Sequence, residues 1–162
     1  MIKGARQVAD LMAAEKAVAR AALFAKQKHK GQVYGLKNGY EEPYYNHVRR
    51  VAQAVHQEAA DFNLVFSHTY KLIEAAAYLH DTVEDAGVPR EQLVDEFGWV
   101  IAETVWSVSR IPDEIYEKFI TRAASHPLGR IVKRHDVLDN LAHLPSDHSL
   151  RKRYLSALEL LL

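Results

Sequence analysis

The sequence predicts an all-α protein, a bundle of helices with a glycine-rich loop or small hairpin between the first two. Three observations lead there. Apolar residues recur at three- and four-residue steps through most of the chain, the spacing that lays a stripe along one helix face. Residues Leu72, Ile73, Ala75, Ala76, Ala77, Tyr78 and Leu79 are apolar nearly all round, as in a helix packed inside a domain rather than against its surface. Strand-length alternation is unconvincing outside Lys30 to Glu42, and no repeat or low-complexity tract is visible.

Taken in order, Ala5 to His29 reads as one long amphipathic helix, with Val8, Leu11, Ala14, Val18, Ala21, Ala22 and Ala25 at helical spacing. Lys30 to Glu42 changes character: Gly31, Gly35 and the Asn38-Gly39 pair favour turns, which suits a hairpin or an open flap. Pro43 suits the first turn of a second helix over Tyr44 to Ala59, whose stripe is Val48, Val51, Ala52 and Val55, with His47 beside it. Ser67 is the expected N-cap of the apolar helix, and Gly87 with Pro89 ends it near Ala86. A short helix follows from Pro89 to Phe97, then a core helix from Trp99 to Ser109. Pro112 opens another, with Asp113 and Glu114 in its first turn and Ile115, Phe119 and Ile120 facing inward. Pro127 starts a helix whose buried stripe is Ile131, Val132, Leu138, Leu141 and Leu144, and Leu150 to Leu162 closes the chain with Arg153 and Tyr154 upon it.

A length of 162 residues predicts a single domain, 1–162, with a core large enough to need no staples. Lys plus Arg and Asp plus Glu are equal at 21 each, so there is no global basic field for nucleic acid or a membrane surface. An anionic ligand must be met locally. There is no cysteine, which excludes disulfides and thiolate metal sites and leaves His, Asp and Glu as ligands. The N-terminal stretch lacks a signal-peptide core and no apolar run reaches bilayer length, so a cytoplasmic location is expected. Homo-oligomerisation is left open by composition.

The chemistry is concentrated where the apolar helix runs into His80, Asp81, Glu84 and Asp85. Helical spacing stacks His80 over Glu84 and Asp81 over Asp85. This is the wrong helix end for anions, because the last carbonyls already carry partial negative charge and buried unpaired carboxylates are costly. A bound cation reverses both penalties; acids solvated on the helix tip, with His80 as a cap, are the plain alternative. Asp136 and Asn140, four apart on the helix after Pro127, form another acid-bearing column. His47, His80, Asp81 and Asp136 together make a set of two imidazoles and two carboxylates, the right count for one divalent ion. Without thiolates, such a set favours Mn, Fe, Co or Ni over a closed structural zinc site.

The order H…HD…D resembles the HD superfamily of metal-dependent phosphohydrolases. LHDTVED (Leu79–Asp85), HKGQ (His29–Gln32), PYYNHVRRVA (Pro43–Ala52) and the K-x-x-D-x-x-x-N run from Lys133 to Asn140 resemble, more narrowly, the (p)ppGpp hydrolase domain of the Rel and Spo families and their small relatives, over roughly Ala21 to Leu158. The resemblance implies an HD-type helical bundle and a guanosine-3′,5′-bis(diphosphate) 3′-pyrophosphohydrolase-like enzyme acting on a small nucleotide. It implies His47, His80, Asp81 and Asp136 as ligands of one divalent ion, expected to be Mn2+, and Glu84 and Asp85 as the acids that orient or activate the attacking water. Asn140 matches a residue of the nucleotide site, and Arg49, Arg50, Lys37 and Lys133 are candidate partners of the phosphates, with Tyr154 on the substrate side. Where the family usually carries an arginine that packs on guanine, this chain has Tyr34. An aromatic ring also stacks on purines, so a base-binding role is expected without a guanine preference. Alternatives are an HD-type nucleotidase or dNTP phosphohydrolase, and a non-catalytic nucleotide-binding module.

Overall fold

The protein was described from a computed structural model covering residues 2–37 and 40–162, with side chains described for 4–35 and 41–162. Helix α1 (Ile2–Lys28) is followed by an antiparallel hairpin of β1 (Val33–Lys37) and β2 (Tyr40–Pro43). Then come α2 (Tyr45–Asp61), α3 (His68–Leu79), α4 (Thr82–Ala86), α5 (Arg90–Phe97), α6 (Trp99–Val108), α7 (Tyr116–Ser125), α8 (Pro127–His143) and α9 (Leu150–Leu161). Among the described residues no strand exists outside the hairpin, so the all-α expectation holds.

α3 is the hub. It packs against α1, α2, α6 and α8, and Ala75, Ala76 and Ala77 have no exposed surface at all. Small side chains let neighbouring helices approach on every side, which is why this stretch reads as apolar all round. Ala76→Leu is therefore expected to destabilise the fold by about 1–3 kcal/mol through overpacking, read as a fall in the denaturant midpoint at constant slope. A second cluster, Phe119, Ile120, Val137, Leu141, Ala157 and Leu161, joins α7, α8 and α9. No described helix is long and apolar enough to cross a membrane.

Several local expectations are corrected. Pro43 lies in the hairpin, opposite Val33, and α2 begins only at Tyr45; the Tyr44 amide is held by the Gln32 carbonyl at 2.9 Å, which keeps the chain extended up to that point. The apolar helix is not continuous to Ala86. It ends at Leu79 and resumes at Thr82, because side chains take over the last-turn carbonyls: His80 Nδ1 sits 2.8 Å from Ala77 O, and Thr82 Oγ1 donates to Leu79 O at 2.7 Å. Asp81 then takes φ −98° and ψ 0°, out of the regular helix. Gly87 ends α4 in the left-handed region, at φ 62°. Pro112 does not open a helix: Glu114 accepts from the Ile111 amide and pairs with Arg122 across a turn, so α7 starts at Tyr116. Ser67 precedes α3 but makes no capping bond with its side chain. Leu138, Ile115 and Val8 are exposed rather than inward. On α8 the inner face is occupied by Val132, Lys133, Asp136 and Val137, so polar residues displaced the apolar stripe from the register that hydrophobicity alone suggests.

Candidate metal centre

The break between α3 and α4 is what assembles the site. The buried rod of α3 carries His80 to the middle of the molecule, fully buried, and the turn after it swings Asp81 to the same point. α2, packed alongside, supplies His47, and α8 supplies Asp136 from the opposite side; these two are also buried. One ligand atom each from His47, His80 and Asp136 lie within 4.8 Å of one another. Asp81 Oδ2 is 3.0 Å from His80 Nε2 and 3.4 Å from His47 Nε2, while Asp136 Oδ1 is 3.3 Å from His47 Nε2 and 3.7 Å from His80 Nε2. Sequence-distant segments thus converge on one small volume.

The hydrogen bonds around this cluster decide what fits inside it. His47 Nδ1 lies 2.7 Å from Asp139 Oδ2, and His80 Nδ1 lies 2.8 Å from Ala77 O. A ring nitrogen facing an acceptor carries the hydrogen, so each neutral imidazole turns its Nε2 lone pair inward. His80 Nε2 has no hydrogen-bond partner although it is buried. Two nitrogen lone pairs facing two carboxylate oxygens repel unless positive charge sits between them. The donor set, with the outer nitrogens held by a carboxylate and a carbonyl, fits a divalent cation. Protons compete for that place. Burial pulls the His47 imidazole down, but hydrogen bonds to Asp136, Asp139 and Asp81 outweigh it and push it up to about 11. Burial likewise opposes the charge on His80, and Asp81 with Asp136 raise it to about 9. Asp136, although burial opposes its ionisation, is held well below the usual carboxylate range by Lys133 and the two imidazoles.

The oxygens that face the imidazoles have other partners too, and the outer oxygen of Asp136 is also claimed. Tyr44 donates its hydroxyl to Asp81 Oδ2 at 2.8 Å. Asp136 Oδ2 pairs with Lys133 Nζ at 2.7 Å, and Asp136 Oδ1 accepts from Asn140 Nδ2 at 2.6 Å. Lys133 is itself buried, its ammonium 4.6 Å from the centre of the Phe119 ring.

Glu84 and Asp85 stand on α4, exposed, at the mouth of the site. Glu84 Oε1 accepts from the Arg110 amide at 2.9 Å and faces a cavity of about 220 Å³ that reaches Asp136, Asn140 and Lys133. Desolvation lifts the Glu84 carboxyl above its ordinary range despite that amide and Lys133. Asp85 is held through its backbone: Gln32 Nε2 donates to its carbonyl at 2.6 Å, while Gln32 Oε1 lies 2.7 Å from His29 Nδ1. The HKGQ segment thereby ties the end of α1 to the acid-bearing turn.

Tyr154 lines the same cavity, beside Tyr116 and Arg153. Tyr34 lies over the cluster, one face of its ring stacked on His47 with centroids 4.6 Å apart. Arg50 is bound by Glu42 and by Asp139, the latter at 2.7 Å. Arg49 is exposed and its charge falls on Tyr45 and Tyr78, away from the cluster. The side chain of Lys37 lies outside the described residues.

Sequence reasoning missed Asp139, Tyr44, Arg110, Tyr116 and Arg153. Asp139 had a signal, since it stands three residues after Asp136 and so shares its side of α8. Arg110 and Tyr116 flank a turn, where no periodicity marks which side chains face the site.

No family model matches the chain. A guanosine-3′,5′-bis(diphosphate) 3′-pyrophosphohydrolase from Aquifex aeolicus is 32 % identical over 78 % of this chain and 18 % of its own length. A protein of the same name from Haemophilus influenzae is 36 % identical over 62 % of this chain and 12 % of its own. A probable GTP pyrophosphokinase from Mycobacterium leprae is 31 % identical over 83 % of this chain and 17 % of its own. The chain therefore spans less than a fifth of these curated relatives. Among solved structures, a metazoan orthologue of SpoT, described as hydrolysing ppGpp and playing a role in starvation responses, superposes with a TM-score of 0.68 at 25 % identity, over 90 % of this chain and 83 % of that one. Taken with the helical bundle and the buried imidazole and carboxylate cluster, these likenesses identify the chain as an HD-type domain of the Rel/Spo hydrolase-like family.

Proposed function

We propose that the chain is a metal-dependent phosphohydrolase that acts on a phosphorylated purine nucleotide, releasing pyrophosphate from the 3′ position of (p)ppGpp or of a close chemical relative. The observation that carries this reading is the convergence of two inward-facing imidazole lone pairs and two carboxylates in a buried pocket open on one side to an acid pair. The names of the relatives and of the structural neighbour support the same reaction class. We further place the protein in the cytoplasm, as a single domain with a small nucleotide rather than a nucleic acid as its partner; its charge balance gives no general attraction to polyanions.

In this reading His47, His80, Asp81 and Asp136 hold one divalent ion, Mn2+ first and Fe, Co or Ni as alternatives. Such an ion, when bound, lowers the pKa of a water molecule and polarises a phosphoryl oxygen. The residues around it supply the rest. Asp139 and the Ala77 carbonyl fix which nitrogen of each histidine faces inward. Lys133 offsets the charge of Asp136 at its outer oxygen. Glu84, whose carboxyl desolvation makes more basic than an ordinary glutamate, takes the proton of the attacking water, and Asp85 orients it. Asn140 and Tyr154 border the nucleotide, and Lys37 and Lys133 are the cations proposed for its phosphates; Arg49, whose charge falls on Tyr45 and Tyr78, is not among them. No covalent nucleophile is needed.

The test is hydrolysis of a nucleotide panel with added Mn2+, separating pyrophosphate release from ppGpp from phosphate release from nucleoside mono-, di- and triphosphates and dNTPs. Pyrophosphate from ppGpp is expected. Phosphate release from the other nucleotides alone points instead to a nucleotidase, and tight binding without turnover to a non-catalytic module. A second, more local outcome is expected for Gln32→Leu. Freed from Gln32, the Asp85 turn loses a tether, and kcat should fall by about tenfold with the nucleotide KM little changed, as for other groups that orient a catalytic residue.

A further inference from the structure

Tyr34 makes contacts that a base-stacking side chain does not need. Its hydroxyl donates to Asn140 Oδ1 at 2.7 Å. The amide nitrogen of Asn140 in turn donates to Asp136 Oδ1 at 2.6 Å and to the Asp136 carbonyl at 3.0 Å. The Tyr34 ring lies flat against His47, with centroids 4.6 Å apart and planes inclined by 8°. The edges of the ring meet Tyr44 and His143, and the Arg50 guanidinium lies 5.4 Å from its centre. Arg50 grips Asp139, the carboxylate that orients His47. One side chain of the hairpin therefore touches His47 directly and reaches Asp136 through a single intermediary.

We infer that Tyr34 is a positioning residue of the metal centre: its hydroxyl fixes the direction of the Asn140 amide against Asp136, and its ring fixes the plane of His47. This rests on the reading of the cluster as a divalent-metal site. The physical reason lies in the amide. The terminal torsion of an asparagine is broad, and its oxygen and nitrogen ends exchange places by a half-turn. With the oxygen end claimed by the Tyr34 hydroxyl, only the NH2 end faces Asp136, where it donates to the oxygen that also faces both imidazoles. Without that hydroxyl the amide is free to turn its own oxygen toward Asp136, and a ligand carboxylate loses its support. The stacked ring acts on the other ligand in parallel, restricting rotation of the His47 imidazole out of the line set by Asp139.

The test measures Mn2+ affinity by calorimetry on the metal-stripped full chain, for the wild type, Tyr34→Phe, Asn140→Ala and the double variant. Tyr34→Phe removes one oxygen atom and keeps the ring. It is expected to weaken Mn2+ binding by about tenfold, within the range seen when outer partners of metal ligands are removed. In the Asn140→Ala background the same change should add nothing, because the hydroxyl acts through the amide. At saturating Mn2+ the nucleotide KM should stay close to wild type in Tyr34→Leu as well as in Tyr34→Phe; a KM that rises only when the ring is removed marks substrate stacking and overturns the positioning role. Tyr34→Leu should weaken Mn2+ binding further by freeing His47. Should Tyr34→Phe fold poorly, Asn140→Leu reads the same link from its other end, since it keeps the volume, adds no charge and cannot donate to Asp136, and weaker Mn2+ binding is again expected. Wild-type Mn2+ affinity in Tyr34→Phe, or full additivity in the double variant, overturns this inference alone. A wild-type chain that binds no divalent ion overturns it together with the proposed function.

Discussion

Asp81→Ala is expected to lower metal-dependent nucleotide hydrolysis by at least about 10³-fold, the scale of losing several kcal/mol of transition-state stabilisation. Asp81 is the residue through which the site is built twice over. Its Oδ2 lies 3.0 Å from His80 Nε2 and 3.4 Å from His47 Nε2, so truncation removes one of two carboxylates from the ligand set and with it half of the negative charge that draws a cation to the imidazoles. It also receives the Tyr44 hydroxyl, which would be left buried without its partner. Asp81→Asn separates these effects: it keeps the shape and the Tyr44 contact, so its loss of Mn2+ binding reports the missing charge rather than a vacated hydrogen bond. Calorimetric Mn2+ titration and pyrophosphate release, measured side by side, check both. Turnover of Asp81→Ala within tenfold of the wild type would remove Asp81 from the ligand set. Asp85→Ala, by contrast, should retain Mn2+ binding, because its exposed side chain stands outside the cluster.

What was legible in the sequence, and what was not, follows from how each residue's environment is specified. The apolar run from Leu72 to Leu79 could only be a buried helix, and the helices on either side of it were readable from stripes of Val, Leu and Ala. Their register was less so. On α8 the inward face includes Lys133 and Asp136, so counting apolar residues placed Leu138 inside when it is outside. The break at His80 and Asp81 was hidden for a related reason: helix propensity favours continuity there, and the interruption comes from side chains bonding to backbone carbonyls. Pro112 misled because proline is as good a turn former as a helix starter, and Glu114 tipped the balance by pairing with Arg122 ten residues after Pro112. The four proposed ligands come from segments separated by several helices, yet their types and order were visible. The supporting residues were not, since Tyr44, Asp139 and Arg110 gain their meaning only from what the fold sets beside them.

The affinity for Mn2+ should rise steeply with pH, by up to about 100-fold per pH unit between pH 7 and 8, because an ion and protons compete for the same two nitrogens. In the ion-free chain the carboxylates push His47 up to about 11 and His80 up to about 9, so both imidazoles still hold protons at pH 8. Binding then displaces about two protons, and each contributes a factor of ten per pH unit. The same shifts give the two forms opposite stability profiles. An unfolded imidazole titrates near about 6.5, so the stabilisation from raised His47 and His80 is fully present below that value and is lost as pH climbs toward the folded values. From these groups the ion-free chain should lose melting temperature between pH 6.5 and 9, while the chain saturated with Mn2+ should hold or gain it. His135, which burial pushes down, acts on the acid side, where falling pH charges it in the unfolded chain first; the comparison is therefore made above pH 6.5. A Mn2+ dissociation constant independent of pH from 7 to 8.5 would mean that no protons leave on binding, and that the imidazoles of the ion-free chain are already neutral there rather than raised by their carboxylate neighbours.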